Sequence, residues 1–226
     1  MAWPIRYQDV LDAGARIRPW LAPTPLVTYG DLDRETGARI LVKHEEKNPT
    51  RSFKARNGLA VLTAWGPGPG VVAATRGNHG LGVAWAGSRL GVPVTICVPR
   101  GNSPAKNAAI RELGAELVEE GKDYDESVIV MRRLVQERGL RELHSTELTF
   151  PALCEGLEDF VTVTDTEIAD ALRTLRRITD TTPEGAGAAG LAGLLKLELS
   201  RQAVAIVISG ANIDADVLQR ALEGRL

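Results

Sequence analysis

The chain has 226 residues, of which 44% are hydrophobic and 25% charged. These values are ordinary for a globular protein and exclude a disordered chain, a collagen-like fibre and a coiled coil. Lys and Arg number 27 against 29 Asp and Glu, a formal net charge of -2 without a block of like charge, which disfavours nucleic-acid binding and a basic membrane surface.

Residues 1–38 are predicted to contain one amphipathic helix, about Tyr7 to Leu21. From about residue 39 to 144, short runs rich in Val and Ile alternate with helix-like runs. Strand followed by helix, repeated, predicts a doubly wound α/β fold with a parallel sheet. The predicted strands are residues 39–45, 70–75, 93–99 and 115–121, and the predicted helices are residues 52–65, 78–91, 102–114 and 123–139.

The remainder of the chain has a different pattern. A loop is expected over residues 148–159, and only two clear strands follow, FVTV at 160–163 and AVAIVIS at 203–209. Two strands are few for an independent sheet, so the two ends of the chain are expected to share a second, small core. Predicted helices are residues 166–178, capped by Thr164 or Asp165, then 190–200 and 214–224.

No apolar run approaches the roughly 20 residues that span a membrane, and no export signal is visible at the amino end. Two cysteines, Cys97 and Cys154, lie in apolar surroundings without a CxxC pair, which favours structural thiols in a reducing compartment. A cytoplasmic location is therefore expected.

Lys54, in NPTRSFKAR, stands at the start of a predicted helix. The positive end of a helix disfavours an ammonium group and lowers its pKa, which is what a lysine that forms a Schiff base requires. Most lysines near a helix start are solvated surface residues, so this context alone leaves both interpretations open.

TRGNHG, at residues 75–80, lies between a predicted strand and the next helix, where open α/β sheets bind ligands. Gly77 and Gly80 allow a tight turn whose backbone N–H groups can face an anion, and Asn78 and His79 add side-chain donors. An ordinary strand–helix loop is the equal alternative. No second histidine lies at metal-ligand spacing, so no metal site is predicted.

Two further motifs lie in the last third of the chain. Gly185, Gly187 and Gly190 spell G-x-G-x-x-G, but the preceding TDTTPE is a polar turn and not a strand, so a nucleotide site is rejected in favour of close helix packing. ISGAN, at residues 208–212, places Ser209 at the carboxyl end of a strand, where a lone serine is usually a helix cap.

The ordered set NPTRSFKAR, TRGNHG, GNSPAKNAAIRELGAELVEEG, EGAGAAGLAG and ISGAN resembles the serine/threonine dehydratase family, pyridoxal-phosphate enzymes of the tryptophan-synthase-β fold type (fold type II). The resemblance implies pyridoxal 5'-phosphate as cofactor. It implies that Lys54 forms the Schiff base and moves the α-proton, that Asn78 binds the phenolic oxygen and that Ser209 faces the pyridine nitrogen. It further implies that Thr75, Gly77, Asn78 and His79 bind the substrate carboxylate.

Several departures from the family accompany the resemblance. Arg51 stands where the family usually has Gly, Leu81 replaces a common Gln, and Arg76 stands where serine racemases of the family carry a second catalytic Ser. After HSTE, at the Glu147–Leu148 junction, a long family segment is missing. In the family that segment includes a Gly-rich loop that binds the cofactor phosphate, and an acidic metal site.

The resemblance thus predicts two domains: a small parallel α/β domain over residues 48–145, and an incomplete larger cofactor-binding domain built from residues 1–47 and 146–226. The expected function is a lyase that removes water from threonine, serine or another small hydroxy amino acid, giving a 2-oxo acid and ammonia. A homodimer is expected to complete the second domain. The alternatives are a non-catalytic remnant that acts as a binding domain and, less favoured, a Rossmann-type oxidoreductase.

Overall fold

The computed structural model describes residues 5–143, 149–198 and 203–225. The predicted Glu147–Leu148 junction lies outside these residues. The described helices and strands are as follows: α1 Tyr7–Ile17, β1 Leu26–Thr28, α2 Gly30–Thr36, β2 Arg39–His44, α3 Lys54–Trp65, β3 Val71–Ala74, α4 Asn78–Leu90, β4 Val94–Val98, α5 Pro104–Glu112, β5 Glu116–Glu119, α6 Tyr124–Arg138, β6 Arg141–Glu142, α7 Thr149–Gly156, α8 Asp165–Thr179, α9 Gly185–Leu194, β7 Ala203–Ile208 and α10 Ala215–Leu222.

The chain divides into two compact units. Unit 1 comprises Met1–Ala22 and Lys54–Glu158, and unit 2 comprises Pro23–Phe53 and Asp159–Leu226. These divisions differ from the expected boundaries at residues 48 and 145, most clearly at the amino end. Helix α1 belongs to unit 1 because it packs against α3, and Leu21 just beyond it is buried in the same core.

Unit 1 is built on a four-stranded, wholly parallel sheet in the order β5-β4-β3-β6. All residues of β3 and β4 are buried, as is usual for parallel strands covered on both faces. One face carries a core of aliphatic side chains from α3, α4 and α5. The other face packs Val72, Ala74 and Cys97 against Val130, Met131 and Leu134 of α6. The predicted parallel domain with helices on both faces is confirmed.

The four expected strands do not all share this sheet. Residues 70–75, 93–99 and 115–121 supply β3, β4 and β5, but β2 lies in unit 2 and the short β6 takes the fourth place. A single sheet for all four runs, as their alternation alone suggests, was wrong, whereas the division inferred from the family resemblance already placed residues 39–45 outside the small domain. The helices after β3 and β5 end at Gly91 and Gly139, both in the left-handed region with φ of 67° and 66°, which explains the glycines at these ends.

Unit 2 contains a three-stranded sheet in the order β1-β2-β7, with β1 antiparallel and β7 parallel to β2. The expectation that the two ends of the chain share a second, small core is confirmed, because β7 pairs with β2 and both pack into one cluster. One face packs Ile40, Val42, Ile206 and Ile208 against α8 and α9. On the other face Leu26 and Val207 remain 54% and 46% exposed, so the described helices of unit 2 cover a single face.

Three local predictions, two in unit 2 and one at the end of unit 1, have different outcomes. FVTV, expected to be a strand, forms none, because it has no strand partner among the described residues. The expected loop over residues 148–159 contains α7, and Cys154 on it is exposed. Thr164 caps α8 by accepting a hydrogen bond from the Glu167 N–H, and Glu167 completes a capping box, as the sequence allowed.

Candidate active site

Lys54 is the first residue of α3 in unit 1. Its side chain is half-buried, and this burial lowers the pKa of its amine, because desolvation penalises the charged form. A larger neutral fraction at physiological pH is the property that a nucleophilic lysine needs. The sequence predicted a lowered pKa from the helix end; the cause here is desolvation.

Two glycines allow the start of α3 to lie directly against α4. A side chain on Gly82 would overlap the carbonyl oxygen of Lys54, and its Cβ would lie 2.9 Å from the Cβ of Lys54. Reciprocally, a Cβ on Gly58 would lie 2.5 Å from the Gly82 carbonyl oxygen. Glycine at both positions therefore lets the two helix backbones touch, and it places Lys54 about one helical turn from the amino end of α4.

Thr75 organises the turn between β3 and α4. It is 4% exposed, and its hydroxyl oxygen accepts hydrogen bonds from the N–H groups of Gly77 at 3.0 Å and Gly80 at 3.3 Å. Gly77 has an extended φ of 174°, which any residue adopts, so no left-handed turn requires glycine at this position. Gly80 is required for space, because a Cβ there would lie 2.6 Å from the Thr75 methyl group.

Asn78 and His79 open α4 and are both half-buried. The His79 Nε2 lies 3.3 Å from the carbonyl oxygen of Leu143, just beyond β6, which holds the ring at the edge of the sheet. The first turn of α4 contains no acidic residue, so the positive end of the helix remains available to an anion.

Ser209 follows β7 in unit 2 and is joined to the segment that precedes Lys54. Its carbonyl oxygen accepts a hydrogen bond from the Phe53 N–H at 3.0 Å, and the Ala211 N–H donates to the Arg51 carbonyl oxygen at 2.9 Å. Ser52 and Gly210 form an isolated antiparallel bridge between these two bonds. Residues 51–53 and 209–211 therefore form a short two-stranded clasp.

Glu184 and Asn212 support this clasp, and sequence reasoning gave neither a role in it. The Glu184 N–H donates to the Gly210 carbonyl oxygen at 3.0 Å, and its carboxylate accepts from the Asn212 N–H at 3.2 Å. The Asn212 amide donates to the Thr50 carbonyl oxygen at 2.9 Å. A Cβ on Gly187 would lie 2.5 Å from the Gly210 oxygen, which agrees with close helix packing for the G-x-G-x-x-G run.

A buried polar cluster lies upstream of the clasp, also unrecognised from the sequence. His44 Nδ1 lies 2.7 Å from a Glu46 oxygen, its Nε2 lies 2.9 Å from the Tyr29 hydroxyl, and the Thr181 hydroxyl donates to the same Glu46 oxygen at 3.3 Å. Burial, followed by the Glu46 charge, raises the pKa of Tyr29. The cluster anchors the end of β2, from which the chain continues toward Lys54.

Arg51 adopts a left-handed backbone with φ of 53°, at the position where the family that the sequence resembles usually has glycine. Its N–H donates to the Asn48 carbonyl oxygen at 2.8 Å. Its guanidinium is exposed and makes no hydrogen bond, ion pair or ring contact with the described residues.

The structure gathers Lys54, Thr75, Gly77, Asn78 and His79 in unit 1 and places Ser209 in unit 2. The assignment of roles to these residues stays a prediction, as does the convergence of Lys54 and Ser209 on one ligand. Within the described part of the chain, no group of three His, Cys, Asp or Glu side chains is placed to hold a metal ion, and no helix is both long and apolar enough to cross a bilayer.

Comparison with known proteins decides the family. Residues 17–147 match the family described as "Pyridoxal-phosphate dependent enzyme". The chain belongs to this family. It is 26% identical to the L-threonine ammonia-lyase of Thermotoga maritima, over 96% of this chain and 78% of that protein. It is 25% identical to the L-threo-3-hydroxyaspartate ammonia-lyase of a Pseudomonas species, over 96% of this chain and 98% of that protein.

A solved structure, the T.th. threonine deaminase, superposes with a TM-score of 0.86 at 25% identity, over 93% of this chain and 99% of that one. The predicted fold type II α/β class is therefore confirmed. The alignment with the Thermotoga lyase runs over 313 positions, so at least 87 of them have no counterpart in a chain of 226 residues. The expected missing segment is thereby confirmed, and these relatives favour the lyase over the non-catalytic alternative.

The residues present fit the family's cofactor, pyridoxal phosphate. A desolvated amine at Lys54 suits capture of an aldehyde, and amide and hydroxyl donors at Asn78 and Ser209 suit a phenolic oxygen and a ring nitrogen. The Ser52 hydroxyl, two residues before Lys54, is buried and lacks a hydrogen-bond partner in the described structure. The clasp therefore contains a buried, unsatisfied polar group.

Proposed function

We propose that this protein is a pyridoxal-phosphate-dependent ammonia-lyase that acts on a small hydroxy amino acid. The substrate loses its α-proton and β-hydroxyl as water, and hydrolysis of the resulting enamine gives a 2-oxo acid and ammonia. The observation that carries the proposal is Lys54, whose amine is desolvated and whose backbone packs against Gly82 of the helix that the Thr75–Gly80 turn opens. The activities named for the Thermotoga and Pseudomonas relatives support it.

When bound, the cofactor supplies an aldehyde and an electron-withdrawing ring that acidifies the α-carbon of the substrate. Lys54 would hold the cofactor through its amine, and the free amine would accept the α-proton of the substrate at Nζ. A base for this step must be neutral, and burial of the Lys54 side chain favours the neutral amine. The same nitrogen, once protonated, is positioned to return a proton when the product leaves.

The turn after β3 is proposed to bind the substrate carboxylate. The Thr75 hydroxyl already accepts from Gly77 and Gly80, so its role is to hold the turn in shape. Asn78 and His79, at the amino end of α4, supply the donors that face an anion. Asn78 is also the proposed partner of the cofactor's phenolic oxygen.

Ser209 is the proposed partner of the pyridine nitrogen. Its backbone is held by Phe53, and Glu184 and Asn212 brace the following residues, so its hydroxyl is carried on a rigid turn. A neutral hydroxyl at Ser209 would not stabilise a positive charge on the ring nitrogen as an acidic partner would. This favours rapid β-elimination over reactions that need a long-lived carbanion.

The decisive experiment is a cofactor and turnover assay on the purified chain. Addition of pyridoxal phosphate is expected to give an absorbance band of a lysine adduct that borohydride fixes covalently to Lys54. L-threonine, L-serine and L-threo-3-hydroxyaspartate are then tested for release of ammonia and the matching 2-oxo acid. A chain that holds the cofactor at Lys54 but releases no ammonia from any of the three would instead support the non-catalytic binding domain.

The proposal includes a cytoplasmic homodimer. The outward face of the unit 2 sheet exposes Leu26 and Val207 on either side of Lys43, and exposed apolar side chains on a sheet face are commonly covered by association. An added negative charge on that face, as in Val207→Asp, is expected to convert the dimer to a monomer. Sedimentation equilibrium measures this change. A parent that is monomeric at high concentration would contradict this part of the proposal.

A further inference from the structure

The backbone of Arg51 is held in a conformation that its side chain disfavours. Left-handed φ values such as its 53° are routine for glycine but strained for a residue with a Cβ. The surrounding bonds enforce the conformation: the Arg51 N–H donates to Asn48 and its carbonyl oxygen accepts from Ala211. Strained residues persist where several surrounding interactions fix the backbone, and such residues are concentrated at functional sites.

The guanidinium of Arg51 has no partner that explains its presence. It is exposed and makes no hydrogen bond, ion pair or ring contact with any described residue. Two other cations of the preceding segment are paired: Lys43 lies 3.8 Å from Glu45, and Lys47 lies 4.0 Å from Glu46. A strained position thus carries an unpaired positive charge, although glycine would relieve the strain.

The position of Arg51 links it to two residues of the proposed site. It stands three positions before Lys54 in the chain, so their Cα atoms lie within about 11 Å of each other in any conformation. Its carbonyl oxygen lies 2.9 Å from the Ala211 N–H, two residues after Ser209. An anion bound by Arg51 would therefore lie close to the Ser209 turn and within chain reach of Lys54.

A planar guanidinium with several N–H donors is suited to bidentate binding of a phosphate. The family's cofactor carries one phosphate, a dianion borne by the ring carbon next to the one that carries the aldehyde. We propose that Arg51 binds the phosphate of pyridoxal phosphate. This inference rests on the proposed function, since it assumes that the cofactor is captured at Lys54.

Comparison of pyridoxal phosphate with pyridoxal, which lacks the phosphate, tests the inference without any turnover. Both aldehydes are titrated into the parent, Arg51→Gln and Arg51→Lys, and the adduct is followed by absorbance. Arg51→Gln is expected to weaken the binding of pyridoxal phosphate about 10- to 100-fold, which is the effect of losing one or two charge-assisted hydrogen bonds. The binding of pyridoxal is expected to be unchanged. Arg51→Lys is expected to retain part of the affinity.

Arg16→Gln is the matched control, because Arg16 is another exposed arginine of the chain without a partner in the described structure. It is expected to bind both aldehydes as the parent does. Circular dichroism checks that every variant is folded; if Arg51→Gln is not, the comparison of the two aldehydes on Arg51→Lys decides.

Four outcomes would overturn the assignment. If Arg51→Gln weakens the binding of both aldehydes equally, the arginine stabilises the clasp and does not bind the phosphate. If neither aldehyde is affected but the KM for a hydroxy amino acid rises, Arg51 binds the substrate carboxylate instead. If the parent binds the two aldehydes equally, the phosphate has no partner here and the proposed function survives, whereas a parent that captures neither removes both proposals.

Discussion

The carbonyl oxygen of Lys54 lies in the space that a side chain on Gly82 would fill. This contact joins the first residue of α3 to the second turn of α4, within the buried part of unit 1. The proposed catalytic lysine is therefore positioned by a backbone contact, which depends on the absence of a side chain at a residue with no chemical role.

Gly82→Ala tests this dependence. The added Cβ must displace the Lys54 backbone, so we expect a loss of about 1–3 kcal/mol in the free energy of unfolding and weaker capture of pyridoxal phosphate. Urea denaturation and the absorbance titration measure the two effects.

Gly14→Ala is the matched control, because Gly14 lies in α1 with nothing within 4 Å of an added Cβ. There the substitution should stabilise the helix by about 0.5–1 kcal/mol. A Gly82→Ala protein as stable as Gly14→Ala would show that the two helices can separate without cost.

Lys54→Ala is expected to abolish borohydride-fixed cofactor and all turnover, because no other amine takes its place at the start of α3. The unfolding free energy should change by less than about 1 kcal/mol, since a half-buried lysine contributes little packing. Lys122→Ala, at an exposed lysine paired with Glu126, serves as the control and should retain full capture. Fixed cofactor of equal yield in Lys54→Ala would assign the adduct to another lysine.

Cofactor capture should depend on pH through the lowered pKa of Lys54. Only the neutral amine attacks an aldehyde, so the initial rate of capture should rise with pH, with a midpoint below the roughly 10.4 of a free lysine side chain. Nα-acetyl-lysine with the same aldehyde gives the reference curve. Because the folded pKa is below the unfolded value, stability should also rise with pH between the two. Coincident rate curves would contradict the desolvation of Lys54.

Arg51→Gly should stabilise the fold, because glycine adopts a φ of 53° without strain. We expect a gain of about 1 kcal/mol in the free energy of unfolding, measured in urea. Asp180, at φ of 51° after α8, is the comparison, and Asp180→Gly should gain less because aspartate tolerates this region. Stability and cofactor affinity would then move in opposite directions in Arg51→Gly. If Arg51→Gly is less stable than the parent, the arginine side chain stabilises the fold by more than the strain of its backbone costs.

Thr75→Val should disorder the turn that opens α4. The variant keeps the shape of the side chain but removes the acceptor for the Gly77 and Gly80 N–H groups, both in a buried setting. A loss of about 1–3 kcal/mol is expected in urea unfolding, with a larger KM for any hydroxy amino acid. Thr75→Ser retains the hydroxyl and should lose less than half as much. Equal losses in the two variants would attribute the effect to the methyl group.

Much of unit 1 could be predicted from the sequence. Short Val- and Ile-rich runs separated by helical runs specify a parallel sheet wherever neighbouring strands are joined by a helix, and β3, β4 and β5 obey that rule. The glycines that end α4 and α6, and the place of Lys54 at a helix start, are local properties that depend on few neighbours. The ordered motifs are likewise a property of the sequence alone, and they indicate the family without reference to any tertiary contact.

Only the tertiary structure decided which sheet each strand joined and what supports the site. The residue pattern of β2 is similar to that of β3, yet β2 pairs with β1 and β7, because the sheet that a strand joins depends on partners far along the chain. FVTV has strand-forming residues but finds no such partner among the described residues. Glu184 and Asn212 acquire roles only because folding brings residues 50–53 and 209–212 together. Local pattern determines which elements form, whereas long-range packing determines which side chains lose water, and the loss of water lowers the pKa of Lys54.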